Sequence, residues 1–323
     1  MMRKTFFHSL IFLVSIFSIS QLHSAPPKDL AYPQGKITAN EIINQVYFVN
    51  HFYSVNNISF ERDAKGHVTT MILRSKGEKP SVIAFRRYLN NAYADGDIKA
   101  RDLALFGSGN LKGVRILLTE YNDPDKRKTY KMWLPSLKKI QGFSEPEHDA
   151  AWRDSDFTYG DIYLRNPEDE KHEILGEQNF EDCLGAMVFN LEALSNTRLI
   201  KNIPSQQCDH RGKAVYRVKS STKFKNWWYD YRVSYVDQSS FADYRIDFFK
   251  DGVLVKRIDK DWVPMSDKVM NLAQDDRAIF WRYWYGKNYQ TGHETMIHTW
   301  PEVVRWNHEL KDELWTEQSL TGN

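Results

Sequence analysis

The 323-residue sequence predicts a mainly β protein with a few helices, built as one long curled antiparallel sheet. Three observations carry that reading. From Gly66 onward, short runs with a period of two alternate with tight-turn residues, which is the signature of strands following one another as a meander. The 10 Trp, 17 Tyr and 18 Phe make up 14% of the chain, and such residues favour half-buried pleated surfaces. Only one strongly amphipathic helix appears near the start, and a sheet of ten or so strands has to curl, so that helix has a concave face to lie in.

The elements follow in order. Arg3 and Lys4 precede an apolar run from Phe6 to Ile19, and small residues follow at Ser24 and Ala25. This reads as a secretory signal peptide over residues 1–24, cleaved near Ser24. The run is shorter than the roughly 20 residues needed to span a bilayer, and no cysteine follows it for lipid attachment. An exported, periplasmic protein is expected. Removing Arg3 and Lys4 brings the 44 basic residues to 42, equal to the 42 acidic ones, so nucleic acid, which is bound through clustered positive charge, is not an expected partner. Residues 25–37 hold three prolines and read as an extended lead-in. A single domain is expected over 38–323. Thr38 and Glu41 have the spacing of a capping box, and Ile42, Ile43, Val46, Val49 and Tyr53 recur at helical intervals after it.

Strands are expected in HVTTMILRS, KPSVIAFRRY, RDLALFG, GVRILLTEY, KTYKMWLP and DIYLR, separated by turn residues such as Gly107-Ser108-Gly109-Asn110. The stretch LGAMVFNLEALSN fits either a helix or a strand end. A second meander begins with KAVYRVKSS and NWWYDYRVSYVD, where Trp227, Tyr229, Tyr231, Val233 and Tyr235 alternate with Asn226, Asp230, Arg232 and Ser234. In YRIDFFKDGVLVKRID, Asp251-Gly252 marks a hairpin, since both turn positions favour positive φ. AIFWRYWYG and HETMIHTW are the last strands, and ELKDELWTEQSL closes the chain as a short helix or tail.

The chemistry-bearing motifs are weak. RDSDFTYGDIYL holds Asp154, Asp156 and Asp161, but a calcium loop counted from Asp154 would place Tyr159 where glycine is needed and Arg165 where the bidentate acid belongs. On a strand, Asp154 and Asp156 share a face and Asp161 points away. His293 and His298 are five apart rather than the four a zinc-protease helix requires. Ser108 has glycines directly beside it, whereas a nucleophile elbow places them two residues to either side. Neither a metal site nor a cofactor is expected. Cys183 and Cys208 are the only cysteines, and in an oxidising compartment they can form a disulfide closing a loop of about 25 residues; two separately buried thiols are the alternative.

The positive signal is the apolar strand faces. Leu103 and Leu105, Ile116 and Leu118, the trio Tyr130, Met132 and Leu134, and the trio Trp227, Tyr229 and Tyr231 each share one face of a strand. Together they are candidates to line a hydrophobic ligand cavity, against the ordinary alternative that they form a packed core.

From YNDPDKRKTYKMWLPSLKKI into DSDFTYGDIYL, the chain resembles the periplasmic outer-membrane lipoprotein-sorting proteins, relatives of the LolA and LolB carriers. The matching residues are Asp123-Pro124, the strand end from Trp133 to Pro135, Lys138-Lys139, and Ser155 to Tyr159 followed by Asp161. FFKDGVLVK and TGHETMIHTW extend the likeness over roughly residues 38–320. The pattern differs at Asp154, where the family has glycine, and at Gly160, where it has an acid. The resemblance implies an incomplete antiparallel barrel wrapped over helices, with an interior that shields acyl chains of a lipid or lipoprotein, and an RND-type inner-membrane exporter as a partner. On this reading Trp133, Pro135, Asp156, Phe157 and Tyr159 form a structural motif, with Phe157 packed inward and Asp156 satisfying nearby backbone or basic groups. The expected function is a non-enzymatic periplasmic carrier. Two alternatives stay open: a hydrolase using Asp154 with Asp156, or His293 with Glu294, and an accessory protein that only docks a transporter.

Overall fold

A computed structural model describes residues 26–322 apart from 94, 124, 153, 164, 191–198, 201–202, 226 and 266–275. The expected signal peptide, Pro124 and Asn226 lie outside the described residues. Helix α1 (Ala39–Asn50) starts at the capping box, where Glu41 accepts from the Thr38 amide at 2.8 Å and the Thr38 hydroxyl accepts from the Glu41 amide at 3.3 Å. The first meander is β1 (Asn57–Phe60), β2 (Thr69–Arg74), β3 (Ser81–Asn90), β4 (Ile98–Phe106), β5 (Arg115–Tyr121), β6 (Thr129–Leu134) and β7 (Lys139–Ser144). The short helix α2 (Tyr159–Ile162) follows. The second meander is β8 (Glu170–Asn179), β9 (Ala214–Thr222), β10 (Tyr231–Asp237), β11 (Asp243–Lys250), β12 (Val253–Pro264), β13 (Ile279–Asn288) and β14 (Glu294–His298), with the short β15 (Val304–Trp306) and helix α3 (Glu317–Thr321) closing the chain. The β11–β12 hairpin turns at Asp251 and Gly252, with φ of 50° and 74°, as the Asp-Gly pair predicts.

All these strands form one antiparallel sheet in the order β7-β6-β5-β4-β3-β2-β14-β13-β12-β11-β10-β9-β8, with β1 pairing β3 and β15 beside that path. The two meanders are therefore stitched at their β2–β14 seam, where Leu73 faces Thr295 and Met71 faces Ile297. The sheet is curled but not closed: β7 and β8, consecutive in the chain, are its opposite edges. Residues 145–169, which link them, must cross the hollow. That requirement explains why the signature stretch is not a strand.

Each face has its own cover. On the concave side lie α1, buried along Ile42, Ile43, Val46, Tyr47, Phe48 and Val49, and the crossing strap with Trp152 and Phe157. Outside the first meander, Tyr88, Leu103 and Leu117 pack against Trp315 and Leu320 of the C-terminal segment. Outside the second meander lie the described parts of the segment from Phe180 to His210, tied to it through Gly185, Cys183 and His210 and linked by a disulfide between Cys183 and Cys208. LGAMVFNLEALSN falls in this cover, where residues 184–190 have no regular structure apart from a bridge between Leu184 and Gln207 and residues 191–196 lie outside the described ones.

Candidate functional site

The strap holds its place through a second capping box. The Thr158 hydroxyl accepts from the Asp161 amide and Asp161 accepts from the Thr158 amide at 2.8 Å, starting α2 where a strand was expected. Phe157 is fully buried edge-on to Trp284, with ring centroids 5.7 Å apart. It fits because β13 carries Gly286 beneath it: a Cβ there would stand 2.8 Å from the Phe157 ring. Asp156 accepts from the Thr295 hydroxyl at 2.9 Å and from His293 Nδ1 at 2.6 Å. Phe157 thus points inward and the Asp156 carboxylate is satisfied, while the strand geometry that set Asp161 apart does not apply.

Asp161 sits instead at the centre of a buried ion cluster. Lys256 Nζ donates to it at 2.5 Å and Arg165 Nη2 at 3.2 Å. Burial opposes ionisation of Asp161, but the two cations outweigh it and hold its pKa down at about 2. Glu170 behaves alike: burial opposes its charge, Arg232 Nη2 donates to it at 2.6 Å, and its pKa is held at about 2. Sequence reading missed this cluster, although Thr158-x-x-Asp161 repeats the Thr38-x-x-Glu41 spacing that located α1. Carboxylates depressed on folding stabilise the native state above their unfolded values near 4, and that contribution is lost as pH falls towards 2. The melting temperature is therefore expected to fall between about pH 4.5 and 2, and less steeply in Asp161→Asn, as scanning calorimetry across that range would measure.

The ten cavity candidates do not converge. Cross-strand partners share a face, and the register pairs Leu103 with Leu117 and Leu105 with Arg115, on the convex side beneath Trp315 and Leu320. Their inclusion as concave lining is corrected: alternation tells which residues share a face, and only register and covering segments tell which face is inside. Ile116 and Met132 pair directly and pack into the main core, and Leu118 pairs with Tyr130 on that same concave side. Leu134, two residues beyond Met132, shares its face. Trp227 and Tyr229 lie in the loop before β10 rather than on a strand, Tyr229 being fully buried against Trp228 and Phe248. Tyr231 stacks on Phe249 at 4.9 Å, opposite the face that carries Arg232 and Phe248. Of the structural motif, Trp133 faces the convex side with Ile140, and Pro135 packs over Gly113.

The hollow is not uniformly apolar, as a greasy interior would require. Over the second meander it carries Lys260, fully buried, with Asp243 at 2.7 Å and Asn50 of α1 at 2.8 Å. Open space remains at the β7 edge. There a pocket of about 400 Å³ lies between the strands and the strap, lined by Met132, Gln141, Phe143, Ala151 and Tyr159. Tyr130 stacks on Phe143 at 5.1 Å beside it. Of the residues named for a hydrolase, Asp156 is bound by His293 and Thr295, and Glu294 by Arg74 Nε at 3.1 Å and by the Tyr285 hydroxyl, so His293 pairs with Asp156 rather than with Glu294. Among the described residues, no three His, Cys, Asp or Glu side chains gather as a metal site, and no helix is long and apolar enough to cross a membrane.

A curled, unclosed antiparallel sheet wound over an inner helix and strap is a LolA-like fold. It is similar, at a TM-score of 0.59 and 17% identity, to a domain from Vibrio parahaemolyticus described as an outer membrane lipoprotein-sorting protein, over 88% of this chain and 98% of that one. A DUF1329 family protein from Desulfovibrio piger ATCC 29098 is similar at a TM-score of 0.59 and 16% identity, over 88% and 100% of the two chains. A LolA superfamily protein from Nitrosomonas europaea is similar at 0.50 and 12%, again over 88% and 100%. A family model described as "Uncharacterized protein" matches residues 100–322, more than half of the chain, and the chain belongs to that family. No curated protein matches it.

Proposed function

We propose that the protein is a non-enzymatic periplasmic carrier, a single domain from residue 38 onward, that shields an acyl chain of a lipid or lipidated protein on its way towards the outer membrane. The observation that carries this reading is the pocket at the open β7 edge of a LolA-like sheet, with Met132, Phe143, Ala151 and Tyr159 on its walls. An acyl chain in water costs about 0.8 kcal/mol per exposed methylene, so a carrier needs a concave apolar wall that is not sealed by its own core. An RND-type inner-membrane exporter is the proposed partner, and the leader-like start of the sequence supports the compartment.

Mass spectrometry of an organic extract from purified protein tests the reading. The wild-type chain is expected to carry close to one lipid per molecule, and Met132→Glu, which puts a charge on the pocket wall, is expected to reduce that at least tenfold in protein whose circular dichroism still matches the wild type. Lipid-free wild-type protein, or equal lipid in the variant, would sink the carrier assignment.

A further inference from the structure

A second pocket, of about 440 Å³, opens on the other side of the strap, where the β2–β3 turn, the β4–β5 turn, the strap and the β13–β14 turn converge. Its walls include Ser75, Glu78, Lys79, Asn110, Asp154 and His293. That size is within the range of small-molecule sites.

His293 is built into this wall rather than simply exposed on it. Its Nδ1 donates to Asp156, whose side chain is only 4% exposed, and the same carboxylate oxygen accepts from Thr295 at 2.9 Å. The Asp156 amide in turn donates to the Thr295 hydroxyl at 2.9 Å. A carboxylate can only accept, so Nδ1 carries the proton and Nε2 is left for the pocket. Among the described residues no protein group bonds to Nε2.

The charges on the walls select the ligand. Lys79 would repel a bare ammonium, whereas Glu78 and Asp154 would repel a bare anion. No three metal-ligating side chains among the described residues gather closely enough to cage a cation there. A molecule carrying both signs satisfies all three, with Ser75, Asn110 and the free His293 nitrogen supplying neutral hydrogen bonds. We propose that this pocket binds a small zwitterion, an ammonium and an oxyanion on one molecule, as in an ethanolamine phosphate headgroup. The choice of a headgroup rests on the carrier reading; the charge pattern does not, and a free amino acid offers the same chemistry.

Titration calorimetry of the full chain at pH 7 and low salt, with glycerophosphoethanolamine, free serine, glycerophosphoglycerol and ethanolamine as separate probes, decides it. Expected is binding of glycerophosphoethanolamine with a Kd below roughly 1 mM, at least tenfold weaker binding of the two singly charged probes, and at least tenfold loss in Asp154→Asn and Lys79→Ala. Both substitutions are at exposed positions, so unchanged melting temperatures are expected alongside. Tighter binding of serine would uphold the site and identify amino acids as the source. No binding of either zwitterion, equal binding of a singly charged probe, or unaltered affinity in both variants would overturn the proposal. Because these probes have no acyl chain, their failure is separable from that of the acyl pocket.

Discussion

Lys260→Ala is expected to destabilise the protein by about 3–5 kcal/mol, because it leaves the Asp243 carboxylate, itself fully buried, without its cation inside the sheet. Burial drives the Lys260 pKa down, and the ion pair with Asp243 works against that shift. Asn50 ties α1 to both charges, donating to Asp243 at 3.2 Å and accepting from Lys260 at 2.8 Å, so the variant should also loosen the helix against the sheet. At about 2–4 °C per kcal/mol for chains of this size, the melting temperature should drop on the order of 10 °C. Replacing both partners, Lys260→Met with Asp243→Leu, should recover more than half of the loss, since a matched apolar pair leaves no unpaired charge. Chemical denaturation of the three proteins measures this. A single-variant cost under about 1 kcal/mol would show that water or rearrangement satisfies Asp243, against the present account.

The second large effect is expected from the disulfide. Reducing Cys183–Cys208, or replacing both with serine, should cost about 3 kcal/mol, the entropy of releasing a loop closed over 25 residues. The loop is the convex cover of the second meander. Within it the Gly185 amide donates to Asp259 at 2.6 Å and the Cys183 carbonyl accepts from Arg245 at 2.9 Å, while His210, just beyond, pairs with the buried Asp261 at 2.9 Å. Hydrogen exchange should therefore rise first over residues 180–213 and over the convex-facing groups of β11 and β12. Matching melting curves and exchange patterns for oxidised and reduced protein would refute this.

Much of the fold was legible because its signals are local. The Thr38 capping box, the Asp251-Gly252 turn and the alternation in β2 to β6 each depend on residues a few positions apart, so they read directly from the chain. The loop Trp227–Tyr229 was misread because aromatic residues at alternate positions satisfy a strand pattern even where β9 has ended at Thr222 and β10 begins only at Tyr231. The strap was misread for the opposite reason. Its short helix is dictated by the need to cross from one sheet edge to the other, a constraint with no local signature beyond Thr158-x-x-Asp161. β15 escaped notice because three residues carry too little periodicity.

The candidate site divides along the same line. Met132, Tyr130 and Ile116 were found as apolar strand residues, and the structure places them on the hollow side; Leu103 and Leu105 satisfied the same test and face outward beneath Trp315. The pairing of His293 with Asp156 spans 137 residues and no pattern in the chain announced it.

By itself, the order of amino acids settled that this chain forms a meander of antiparallel strands with a capped helix at its start, since turn chemistry and side-chain alternation act over a few residues. Which face of each strand is enclosed, where charges are buried, and where the hollow stays open were decided only by tertiary structure. Register, the strap and the covers bring together residues whose sequence separation hides their contact, and it is those contacts that determine which surfaces remain available to a ligand.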